Sequence, residues 1–82
     1  MKRNAILQKV TELLREILDD QTVLLRDTTV AQDVAGWDSF NNINLMIAIE
    51  KSLGVHFRTH EIEDLRNVGE LLDMIQQKLA NG

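Results

Sequence analysis

The chain has 82 residues, 44% of them hydrophobic and 27% charged, with a net charge of -4 and a pI of about 5.0. That size allows one domain, spanning residues 1–82, with a modest core and no room for a deep, enclosed active site. The composition is globular rather than disordered, and the acidity opposes binding to phosphate backbones, so nucleic acid is a poor partner and proteins of basic or mixed charge are better ones.

Cysteine is absent, so no disulfide framework supports the core, which fits a cytoplasmic, reducing compartment. Gln8, Lys9 and Glu12 interrupt any apolar run behind the basic Met1-Lys2-Arg3 start, so a signal peptide is excluded. The longest apolar run, Leu45–Ile49, is too short to cross a bilayer. Aromatics are few (Trp37, Phe40 and Phe57), and the core is expected to be mostly Leu, Ile and Val.

The periodicity predicts four helices and no strand. The first runs from about Asn4 to Leu18, with Asn4 as cap and Ile6, Val10, Leu13, Leu14 and Ile17 on one face; Glu12 and Glu16 fall on the solvated side. A connection from Asp19 to Asp38 follows. About twenty residues without periodicity is long for a compact domain. Its scattered Leu24, Leu25, Val30 and Val34 suggest a loop packed along the bundle.

The second helix runs from about Ser39 to Leu53 and stops at Gly54. At about 100° per residue its apolar side chains fall into two stripes. Leu45, Met46, Ile49 and Leu53 suit a bundle core. Phe40, Ile43 and Ile47 point elsewhere, as extra core under the loop or as an exposed docking surface rimmed by Asn41, Asn44, Glu50 and Lys51. A short third helix is expected over Thr59–Leu65, with Thr59 as cap and Ile62 and Leu65 inward. The last spans about Val68 to Leu79 behind an Asn67/Glu70 capping box, with Val68, Leu71, Leu72, Ile75 and Leu79 on its apolar face. Asn81-Gly82 leaves no tethering linker, and a free-standing monomer is expected.

No acid, base or metal cluster supplies an obvious chemical centre. His56 and His60, without cysteine, make a poor metal site, and no base accompanies Ser39 to make it a hydrolytic nucleophile. Taken alone, Asp38-Ser39 before an apolar run is a helix cap. A serine hydroxyl there also points outward, and a phosphate on it would lie near unpaired N–H groups and the positive end of the helix dipole, worth roughly 0.3–1 kcal/mol at an exposed site.

The segment "GWDSFNNINLMIAIEKSLGVHF" resembles the acyl carrier protein signature, in which a Gly-x-Asp-Ser-Leu motif opens the second helix. The helix order, loop length and acidity are similar over essentially the whole chain. The resemblance implies an all-α four-helix bundle with a long loop between the first two helices and a short third helix. It implies a carrier rather than an enzyme, with no catalytic or metal residues. Ser39 would bear phosphopantetheine donated from coenzyme A by a phosphopantetheinyl transferase, and Asp38 would help that transferase recognise the site. The arm's thiol would hold acyl groups as thioesters. An acyl-loading ligase or acyltransferase and downstream acyl-processing enzymes would then read Phe40, Ile43, Ile47 and Glu50.

Phe40 replaces the family's usual leucine, and Asn41 and Asn44 stand where typical fatty-acid carriers have acids. With Lys51 nearby, this dilution implies a dedicated carrier with few partners. Within the family an aminoacyl or peptidyl cargo is the alternative, to which Asp38 is less suited. Outside it, an unmodified helical interaction module would use the Phe40 stripe alone, and a helix-turn-helix DNA binder is disfavoured by charge.

Overall fold

The computed structural model describes residues 1–81. Four α-helices are present among them: α1 (Arg3–Leu18), α2 (Ser39–Leu53), α3 (Thr59–Glu63) and α4 (Val68–Asn81); a 3₁₀ turn at Ala31–Asp33 interrupts the loop between α1 and α2. α1 packs against both α2 and α4. Ile6, Val10 and Leu14 of α1 meet Leu45, Met46 and Ile49 of α2 and Leu71, Leu72 and Ile75 of α4 in one buried cluster. Leu13, Ile17, Leu53, Ile62, Leu65 and Leu79 pack against its margin, only partly buried. Ile62 and Leu65 face inward as expected and pack against the core, but α3 closes at Glu63, two residues short of the expected Leu65.

Several caps differ from expectation. Lys2 precedes α1, and Asn4 is an exposed residue inside the helix. Arg58, not Thr59, precedes α3; its N–H donates to Glu61 Oε1 at 2.8 Å. The Asn67/Glu70 arrangement is present: Glu70 N–H donates to Asn67 Oδ1 at 2.9 Å, and the Glu70 carboxylate accepts from Arg66 N–H at 2.8 Å, one residue before the cap. Gly54 ends α2 at φ 69°, in the left-handed region where a Cβ is costly.

The long loop is docked, as expected, through Leu25 and Val34 and also through Val23, but not through Leu24. Its extended stretch turns Val23 and Leu25 into the core and leaves Leu24 72% exposed. Alternation, the signature of extended backbone against a flat surface, decides which leucine is buried. Further on, the loop meets the start of α4. Val68 N–H donates to Thr29 O at 2.9 Å and Gly69 N–H to Asp27 O at 2.8 Å, so loop carbonyls take first-turn donors that no helix can pair internally. The approach is close enough that a Cβ on Gly69 would lie 2.9 Å from Asp27 O. Arg3 brackets the junction, donating to Asp73, Gln76, Asp27 and the Gly69 carbonyl at 2.7–3.1 Å. Its hydrogen bonds to Asp73 and then Asp27 raise its pKa.

On the opposite end, Glu61 accepts from Arg58 N–H and from Lys78 Nζ at 3.0 Å, and these two partners, in that order, lower its pKa. A lowered carboxylate pKa stabilises the fold above the ordinary value of 4.5, and that contribution is lost as pH falls through the folded-state pKa. Glu61→Gln should therefore lower the urea midpoint at neutral pH, and the gap from the wild type should close in strongly acidic buffer. A gap independent of pH would mean the carboxylate charge plays no part.

Candidate functional site around Ser39

Ser39 is the first residue of α2, and the cap is its neighbour. Asp38 has extended backbone, and its Oδ1 accepts the Asn41 N–H at 2.8 Å. Asp38 thus takes the capping role that the Asp-Ser pair could have given to either residue. The Ser39 side chain is exposed, and its hydroxyl has no hydrogen-bond partner among the described residues. With no imidazole, carboxylate or amine bonded to it, Ser39 has no local activation.

The turn before α2 is fixed by side chains. Trp37 is buried, and its Nε1–H donates to Asn42 Oδ1 at 3.0 Å. Asn41 Nδ2 donates to Gly36 O at 2.9 Å. A carboxylate at 41 could not make that second bond, since it has no N–H to give. The Asn41 departure therefore has a structural use as well as an electrostatic effect. Asn44 Nδ2 reaches Asn41 Oδ1 only at 3.4 Å, a weak contact.

Beside Ser39 lies a half-open cleft of about 570 Å³. It is lined by Thr29, Ala31 and Gln32 of the loop and, joined to them by the Val68–Thr29 hydrogen bond, by Asn67, Val68 and Leu71 at the start of α4. Trp37, Met46, Ile62 and Leu65 supply apolar lining, and Asp38 and Arg66 are its charged groups. Its apolar residues and open mouth at a serine suit a flexible, partly apolar attached group.

The second stripe of α2 faces solvent: Phe40 is 72% exposed, Ile43 55% and Ile47 44%. No part of the loop covers it, so the extra-core reading fails. Glu50 behaves otherwise. It is half-buried, its Oε2 accepting the Phe57 N–H at 2.7 Å with His56 Nδ1 at 3.3 Å. That bond ties the Phe57 backbone to α2 through Oε2, while the Glu50 side chain stays partly exposed. Among the described residues no three His, Cys, Asp or Glu side chains gather as a metal site, and no helix is long and apolar enough to cross a membrane.

No protein-family model matches the sequence. Whole-chain relatives decide the matter. The chain is 31% identical over 81 residues to an acyl carrier protein of Thermosynechococcus vestitus, covering 98% of this chain and 99% of that one. This chain belongs to the acyl carrier protein family. An acyl carrier protein of Guillardia theta is 30% identical, again over 98% of this chain and 99% of its own. The solution structure of a holo acyl carrier protein from Geobacter metallireducens is similar, with TM-score 0.84 and 35% identity over 92% of this chain and 86% of that one. A crystal structure of the Thermotoga maritima acyl carrier protein shares the fold, with TM-score 0.85 over 99% of this chain and 94% of that one at 24% identity. The helix order expected from sequence is thus that of known carriers.

Asn41→Asp should cost about 0.5–1.5 kcal/mol in urea unfolding, the worth of one lost hydrogen bond, followed by Trp37 fluorescence. Asn44→Asp should cost less, because its contact is already long. Equal effects would show that the Gly36 bond contributes nothing.

Proposed function

We propose that Ser39 is the attachment point of phosphopantetheine and that residues 1–82 form one monomeric carrier domain in the cytoplasm. The observation that carries this reading is an exposed hydroxyl, unpartnered among the described residues, at the mouth of the cleft and at the family motif's serine. The protein's general role is that of an acyl carrier, which the whole-chain relatives support over an aminoacyl carrier or an unmodified interaction module.

In the loading reaction the Ser39 oxygen bonds to the phosphorus that carries pantetheine. The pyrophosphate bond of coenzyme A breaks, the adenosine bisphosphate leaves, and the hydroxyl proton passes to the transferase. The arm supplies a thiol for thioesters. Asp38 holds the first turn of α2 so that Ser39 points outward, and its exposed carboxylate is available to the transferase. The chain supplies no catalytic group of its own.

Partners would dock on the Phe40, Ile43 and Ile47 stripe, with Asp38 at one end and Lys51 at the other. Acyl-loading and acyl-processing enzymes of a specialised pathway fit that surface. With Glu50 committed to Phe57 and asparagines at 41 and 44, the face offers apolar contact rather than a row of acids. Desolvated apolar anchors carry binding energy, while charges mostly set on-rate and salt dependence.

Incubation with coenzyme A, magnesium and a broad-specificity phosphopantetheinyl transferase should add one arm by intact mass, and Ser39→Ala should abolish it. An arm that persists on Ser39→Ala, or none on the wild type, overturns the assignment. Separately, Phe40→Ala with Ile47→Ala should reduce kcat/KM for arm transfer at least tenfold without lowering stability, since two truncated anchors cost about 1 kcal/mol or more each. Added salt should change the wild-type rate little. Strong salt inhibition with an unaffected double variant would return the recognition to charge.

A further inference from the structure

The helix start beside Ser39 is less free to receive a phosphate than the motif alone suggests. Asp38 Oδ1 already accepts the Asn41 N–H, and its own carboxylate stands next to the serine. Modification would therefore place a second anion beside the first. The positive end of α2 amounts to roughly half a charge, and it is already answered by Asp38. A nearby cation would offset the added charge.

One is at hand. Of the chain's nine lysines and arginines, Arg66 is the one that lines the same cleft as Ser39. It sits in the turn between α3 and α4, exposed, with its backbone N–H held by Glu70 at 2.8 Å. Among the described residues its guanidinium makes no ion pair or side-chain hydrogen bond, unlike Arg3, Arg15 and Lys78, which are committed to the fold. The backbone bond fixes where Arg66 stands, and its side chain is spare.

We propose that Arg66 binds the phosphodiester that modification places on Ser39 and so holds the base of the arm over the cleft. A planar guanidinium presents paired N–H donors that match two phosphate oxygens, which an ammonium cannot do in the same way. The ligand class is a serine-linked phosphate diester. Bridging it to the α3–α4 turn draws together the two ends of the cleft and aims the arm along the apolar lining of Met46, Ile62, Leu65 and Leu71. Released from Arg66, the arm is free to swing out to a partner. Because Arg66 is exposed, the hold is weak enough to be exchanged, and salt should loosen it.

The proposal rests on Ser39 being the attachment point, and the test separates the two. Apo protein is converted with coenzyme A and a transferase, intact mass reports the arm, and ¹⁵N spectra are compared before and after. In the wild type the Arg66 Nε–H signal and the amides of residues 65–71 should shift on modification, and added salt should reverse much of the shift. Arg66→Gln, whose apo spectrum reports its fold, should accept the arm yet lose the shifts at 65–71, while those at 39–41 persist. Arg66→Lys should retain part of them. Arm addition with an unmoved Arg66 signal, or identical shifts in Arg66→Gln, overturns the Arg66 assignment and leaves Ser39 standing. No mass gain in the wild type overturns both.

Discussion

The cleft beside Ser39 depends on one junction, where the loop between α1 and α2 meets the first turn of α4. A helix start has donors that its own backbone cannot satisfy, and a long loop has carbonyls in the same position. Here each solves the other's problem: Thr29 and Asp27 carbonyls take the Val68 and Gly69 N–H groups, and Arg3 closes the bracket from α1. The missing side chain at Gly69 is what lets the strands of backbone approach. That junction sets Thr29, Ala31 and Gln32 beside Asn67, Val68 and Leu71, and both sets line the cleft.

The same economy governs α2. Its inner side chains belong to the core, its first turn is held by Asp38, Asn41 and Asn42, and its last turn sends Glu50 to the Phe57 N–H. Exposed on α2 are, among others, Ser39 and the Phe40, Ile43 and Ile47 stripe. An acidic residue on α2 can thus also serve the fold. Glu50 is acidic and on the expected face, yet its carboxylate is used to seat an aromatic ring in the core. Asn41 shows the converse, a neutral residue whose amide proton does what an acid there could not.

Much of this was legible in the residues. The helix of Ser39–Leu53 and its glycine stop followed from period and from Gly54, and both were observed at the expected positions. The α4 start followed from Asn67 and Glu70. The two-stripe pattern of α2 posed the right question, though only packing could answer it. The residues that were misjudged share a cause. Asn4 and Thr59 carry good capping groups, but the chain enters those helices one or two residues earlier, at Lys2 and Arg58. The third helix closes at Glu63, before Leu65, yet Ile62 and Leu65 still pack against the core.

By itself, then, the sequence determined the helical period, the order and lengths of the main helices, the acidity and the place of the single motif serine. These are local properties, carried by spacing along the chain and by whole-chain similarity to acyl carrier proteins. Tertiary structure alone decided which of Val23, Leu24 and Leu25 is buried, that Asp38 rather than Ser39 caps α2, that Glu50 accepts the Phe57 N–H, and that Arg66 shares a cleft with Ser39. Each of those outcomes pairs groups distant in sequence, or chooses between neighbours with equal propensity. Only the competition for buried surface and for unpaired backbone groups makes that choice.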